Sequence, residues 1–169
     1  MPSRTLVSVD EYLHTSYDPD CDYVDGEIME RNVGERDHSE LQGEIYAFIR
    51  SLRRKLHVHP YIEQRVQVSS RRFRIPDICV IYGARPTEQI FTKPPFLCIE
   101  ILSPEDRMSR VAEKVDDYLA MGVPYVWVLD PGTKRAWTIT PAEGWREEKS
   151  GVLKTVNPAL EMPLNEIFA

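Results

Sequence analysis

Ile75-Pro76-Asp77-Ile78-Cys79-Val80-Ile81 and Phe96-Leu97-Cys98-Ile99-Glu100-Ile101-Leu102 both read as strands of a buried core, each interrupted by one acid. Strand alternation puts Asp77 on one face with Ile75 and Cys79, and Glu100 with Cys98 and Leu102. An ionised carboxylate there is costly unless a cation compensates it, and two side by side also repel each other. A divalent cation removes both costs. Mg²⁺ takes hard oxygen ligands, commonly one or two carboxylates with waters and phosphate. The plainer alternative, an arginine partner or an exposed strand end, is the better reading for one acid. Two acids on adjacent strands favour the metal, with Asp77 and Glu100 as its ligands.

Working outward, a helix is expected over about residues 38–56, where Leu41, Ile45, Phe48, Ile49, Leu52 and Leu56 recur at helical spacing. Asp37 and Glu40 stand where they could cap its start. Period two then takes over: Ile62, Val66 and Val68 alternate with Tyr61, Arg65 and Gln67 in a first strand. Phe73 to Ile81 forms the second and Phe96 to Leu102 the third. A helix from about Arg107 to Met121 is stopped by Gly122 and Pro124. The apolar run Tyr125 to Leu129 reads as a strand buried on both faces. The order helix, three strands, helix, strand permits antiparallel pairing first and a parallel crossover last. The expected fold is an α/β/α sandwich on a central mixed sheet. Upstream, Ser8 and Glu11 cap a short helix, and Asp25-Gly26 turns a hairpin. One domain over residues 1–169 is expected: helix and hairpin 8–31, core 37–140, and a peripheral extension 141–169.

The 169 residues carry no apolar run near the roughly 20 residues of a membrane helix, and no apolar signal region follows Met1. Three cysteines exclude a disulfide framework and a four-thiolate zinc site, so a cytoplasmic chain with free thiols is expected. The net charge of -6 argues against a protein that merely coats nucleic acid. Its distribution is uneven. Residues 1–49 hold 3 basic and 12 acidic side chains, whereas 50–74 hold 8 basic and 1 acidic. Taken alone, such a run is more often a solvated face. Read functionally, Arg71, Arg72 and Arg74 would face nucleic-acid phosphates.

Pro76-Asp77 and Glu100-Ile101-Leu102, separated by 22 residues, resemble the signature of the proline-aspartate/glutamate-x-lysine nuclease superfamily, whose core has the same element order. Further segments are similar to the Uma-two family of restriction endonucleases: Tyr23-Val24-Asp25-Gly26-Glu27-Ile28, Arg74-Ile75-Pro76-Asp77, Glu100-Ile101-Leu102-Ser103-Pro104, Glu113-Lys114 and the run from Gly122 to Pro131. The similarity covers about residues 8–140 in order. It implies a restriction-endonuclease-like fold that hydrolyses DNA with Mg²⁺, for which Mn²⁺ can substitute. It also implies that Asp77, Glu100 and the backbone of Ile101 hold the metal.

The superfamily lysine two residues after Glu100 is replaced here by Leu102. The resemblance assigns that role to Lys114 of the next helix, making Asp77, Glu100 and Lys114 the catalytic set. Helical geometry agrees in part, because Lys114 lies about 60° from Val111, on the row of Tyr118. Without the resemblance, a lysine laying its stem over the core is the narrower favourite. Glu44 borders the apolar stripe of the first long helix and His38 starts it, so both are further candidates. A homodimer is compatible with all of this. Two other readings stand: a catalytically inactive nuclease fold serving as a nucleic-acid-binding or assembly module, and a metal-dependent hydrolase of small phosphate esters.

Overall fold

The computed structural model describes residues 5–32 and 34–168. The chain opens with α1 (Val9–Leu13), whose cap Ser8 accepts a hydrogen bond from the Glu11 N–H at 3.1 Å. Strands β1 (Asp22–Val24) and β2 (Glu27–Met29) form the expected hairpin. Its two-residue turn needs positive φ at both positions, and Asp25 (50°) and Gly26 (97°) supply it. Helix α2 (Arg36–Ser51) is followed by the single turn α3 (Arg53–Leu56). The long helix thus breaks at Leu52. Its start at Glu35 has no side-chain cap, and Asp37 bonds Arg36 instead.

Strands β3 (Val58–Ile62), β4 (Val66–Ser69), β5 (Arg72–Arg74), β6 (Ile78–Tyr82) and β7 (Leu97–Ile101) come next. After α4 (Met108–Met121) follow β8 (Tyr125–Asp130), β9 (Arg135–Thr140), β10 (Gly144–Glu147), β11 (Val152–Lys154), β12 (Glu161–Pro163) and α5 (Leu164–Ile167). The central sheet has the order β10-β9-β8-β7-β6-β3. Only β7 and β8 are parallel, joined by the α4 crossover. Gly122 ends α4 at φ 108°, a value that disfavours a Cβ.

Two of the expected strands each divide into two, and the halves belong to different sheets. β4 and β5 leave the central sheet to join the hairpin in a second sheet, β2-β1-β5-β4. The first break falls at Glu63, with φ 50°. The second falls at Ile75-Pro76-Asp77, where Pro76 has no N–H to donate and restricts its predecessor. The Ile75 N–H goes to the Asp22 carboxylate at 3.1 Å, not to a strand partner.

Alternation along the central sheet builds the two cores. Ile78, Val80, Leu97, Ile99 and Ile101 face Leu41, Ile45 and Ile49 of α2. Cys79, Cys98, Val126 and Val128 face Val111, Val115 and Tyr118 of α4. The cysteines are buried apolar packing, as their type allows. The stretch expected to be peripheral adds Leu153, Leu160, Met162 and Ile167 to the α2-side core. Among the described residues no helix is long and apolar enough to cross a membrane.

Candidate active site

Asp77 ends the irregular link between the two sheets, immediately before β6, and is 5% exposed. Its Oδ2 accepts the Ile101 N–H at 2.7 Å, so the two residues are bound across the β6–β7 border. Its Oδ1 has only longer neighbours: His38 Nε2 at 3.2 Å and Arg31 Nη2 at 3.4 Å. Gln42 on α2 donates to the Asp77 carbonyl at 2.9 Å. Burial alone would raise the Asp77 pKa. The hydrogen bond and charge of His38, the Ile101 N–H and Arg31 outweigh it and hold the carboxyl below the usual range. His38 shows the complement: burial would lower its pKa, but contact with Asp77 raises it.

Glu100 is the α4-facing residue of β7, 6% exposed. Tyr118 Oη donates to its Oε1 at 2.5 Å, and Lys114 Nζ lies 4.0 Å from Oε2. Burial pushes the Glu100 carboxyl up to about 7. Lys114 and Tyr118 draw it down, whereas Asp77 and Asp22 repel it. The Lys114 stem follows α4 and its amine turns inward, 3.8 Å from Asp22 Oδ2. Burial disfavours its charge, but Glu100, Asp22 and Asp77 together keep it an ammonium. The α4 row of Lys114 and Tyr118 therefore faces Glu100.

Two residues of the site escaped sequence reading, and both come from the N-terminal hairpin. Asp22 on β1 is 1% exposed and faces Lys114 and Arg74. Arg31, just beyond β2, reaches Asp77. The sequence signal for Asp22 was an acid at the head of a short buried strand. Arg31 had none, because its position depends on how the hairpin docks.

The basic window is mostly turned inward. Arg74 is 3% exposed: its Nε bonds Asp117 at 2.7 Å and its Nη1 lies 3.4 Å from Asp22. Its buried Nη2 has no hydrogen-bond acceptor, only Glu113 at 3.4 Å. Arg72 joins Asp117 at 2.8 Å to Asp25 at 2.9 Å. Arg65 is bidentate to Asp20 and stacks on the Tyr12 ring. The phosphate-facing assignment of Arg74 is thus corrected: its charge ties the small sheet to α4. Arg72 does the same with part of its surface open, and Arg71 is exposed. Glu44 is also exposed and lies against Lys134 and Phe168, away from the acids.

A cleft of about 170 Å³ opens beside these residues, lined by Asp22, Arg31, Arg74, Arg110, Glu113 and Lys114. A larger one, about 490 Å³, lies on β8–β10, and neither cleft is lined by Asp77 or Glu100. Among the described residues no group of three or more His, Cys, Asp or Glu side chains is arranged to hold a metal. What the site offers is a carboxylate pair. Glu100 Oε2 has Lys114 at 4.0 Å, and Asp77 Oδ1 has His38 at 3.2 Å and Arg31 at 3.4 Å.

Comparison with known proteins adds three findings. No curated protein matches the chain. A crystal structure of a putative nuclease belonging to DUF820, from Anabaena variabilis ATCC 29413, superposes with a TM-score of 0.84 at 23% identity. The match covers 96% of this chain and 97% of that one, and it shows a shared fold. A family model, Uma2, with the description putative restriction endonuclease, matches residues 9–167, a span that takes in the hairpin, both sheets and α5. On that match, the chain belongs to the Uma2 family.

Proposed function

We propose that this protein is a divalent-metal-dependent endonuclease that hydrolyses DNA phosphodiester bonds, with an active site of the proline-aspartate/glutamate-x-lysine type. The observation that carries the reading is the burial of Asp77 and Glu100 at the β6–β7 border with Lys114 Nζ 4.0 Å from Glu100. Family membership and the nuclease-like fold support it.

The donor set suits Mg²⁺ or Mn²⁺. Two carboxylates and a backbone carbonyl are hard oxygen ligands; Glu100 Oε2 has Lys114 no nearer than 4.0 Å, and Asp77 Oδ1 is shared between His38 at 3.2 Å and Arg31 at 3.4 Å, cations that a bound ion would replace or repel. Asp77, Glu100 and the Ile101 carbonyl would hold the ion. When bound, such an ion polarises phosphoryl oxygens and lowers the pKa of water. The chain's own residues prepare the rest. Tyr118 fixes one oxygen of Glu100, leaving the other to turn toward Lys114. The Ile101 N–H and His38 fix Asp77. Lys114 holds a positive charge at the cleft, where it can stabilise charge developing on phosphate, a contribution of about 3–4 kcal/mol for one donor. That is a fraction of the roughly 20 kcal/mol that enzymes of slow hydrolyses supply, hence the requirement for a metal.

The test is cleavage of long duplex DNA in Mg²⁺ and in Mn²⁺. Asp77→Asn and Glu100→Gln should each abolish it, and EDTA should do the same to the wild type. Undiminished cleavage in EDTA, or in both variants, would overturn the reading. Cutting of small phosphate esters but not of DNA would move the protein to another substrate class.

A further inference from the structure

We propose, building on the divalent-cation reading of Asp77 and Glu100, that Arg31 is a positioning residue: it holds Asp77 in the metal-free protein and yields to the cation. Three carboxylates, Asp22, Asp77 and Glu100, are each buried, and Asp77 and Asp22 lie near enough to Glu100 to repel its charge. Asp22 is met by Arg74 and Lys114, and Glu100 by Lys114 and Tyr118. Asp77 Oδ1 is met by His38 and Arg31 alone among the ion pairs of the described residues.

The Arg31 contact is suited to displacement. It measures 3.4 Å to Asp77, with Glu63 at 3.8 Å, against about 2.7–2.9 Å for a well-formed charge-assisted hydrogen bond. The side chain forms part of the cleft wall and is 10% exposed. It belongs to the hairpin exit, outside both core layers. Beyond it the exposed Asn32 donates to Asp106 at 2.6 Å, a surface tether rather than core packing, and Gly34 has open space around its Cα. Withdrawal therefore disrupts no packed core. A dication at Asp77 would repel the guanidinium, whereas Lys114 keeps Asp22 as a partner at 3.8 Å.

Mn²⁺ titration calorimetry on the wild type, Arg31→Met and Arg31→Lys tests this. Removing a unit charge beside a dication should tighten Mn²⁺ binding by about tenfold or more in Arg31→Met. Arg31→Lys, which keeps the charge, should stay within about threefold of wild type. Metal-free Arg31→Met should also melt lower than wild type, with the gap closing as Mn²⁺ is added. A residue that only supports the fold would weaken binding when removed, not strengthen it. Arg31→Gln carries the same expectation and serves if Arg31→Met fails to fold. Wild-type affinity, or weaker, in the neutral variants would overturn the role of Arg31 and leave the metal site standing. No Mn²⁺ binding by any of the proteins, wild type included, would overturn both.

Discussion

Arg74→Met removes a guanidinium but keeps most of the stem, and its consequence separates a strut from a DNA contact. Arg74 bonds Asp117 at 2.7 Å and approaches Asp22 at 3.4 Å, with its side chain 4% exposed. Breaking a buried ion pair by deleting one partner costs about 3–5 kcal/mol, because the remaining charge is left buried. Each partner here retains another cation: Asp117 keeps Arg72 at 2.8 Å, and Asp22 keeps Lys114 at 3.8 Å. The expected loss is therefore at the low end, about 3 kcal/mol. With a urea m-value of about 2 kcal/mol/M, the unfolding midpoint should fall by roughly 1.5 M. The exposed Arg71→Ala should change stability by less than about 0.5 kcal/mol, a midpoint shift under roughly 0.25 M. DNA affinity measured against salt supplies the opposing readout. A phosphate contact contributes about 0.9 to the log–log slope. The slope should be unchanged in a folded Arg74 variant and shallower in Arg71→Ala. A stable Arg74→Met with a slope reduced by about 0.9 would refute the strut and restore the phosphate contact.

Three further outcomes are expected. Lys114→Met should cut DNA cleavage by about a hundredfold or more, since one transition-state donor is lost; full activity would make Lys114 a core-covering lysine. It should also raise the Glu100 pKa above its already elevated value, measurable by NMR titration of the carboxyl carbon, because the ammonium that opposes burial is gone. The stability of the metal-free protein should fall as pH rises from about 4.5 to above 7. Folded Glu100 (raised to about 7) and folded His38 (raised) both hold their protons more tightly than in the unfolded chain, so their stabilisation is lost across that window. Asp77, held below its usual range, acts oppositely and only at lower pH. Melting temperatures that climb steadily from pH 5 to 8, with no flattening in Glu100→Gln, would contradict this sign.

The sequence by itself determined what local periodicity and local chemistry control. Helical spacing marked α4 and its stop at Gly122, and the Asp25-Gly26 pair marked the hairpin turn. The acids at 77 and 100 were legible because a carboxylate within an apolar strand is an anomaly whatever surrounds it. Three- and four-residue steps placed Lys114 beside Tyr118 on one helix face, but its role in the site came only from the family resemblance. The tertiary structure alone decided where the chain changes sheets, since Phe73 and Ile78 have the same local pattern but pair with different strands. It also decided the direction of the arginines. A run of positive charge says nothing about which acids meet it, and Asp117 lies 43 residues from Arg74. Asp22 and Arg31 enter the site for the same reason: the hairpin is specified by its own turn, but its docking against α4 depends on charges that only the folded chain brings together.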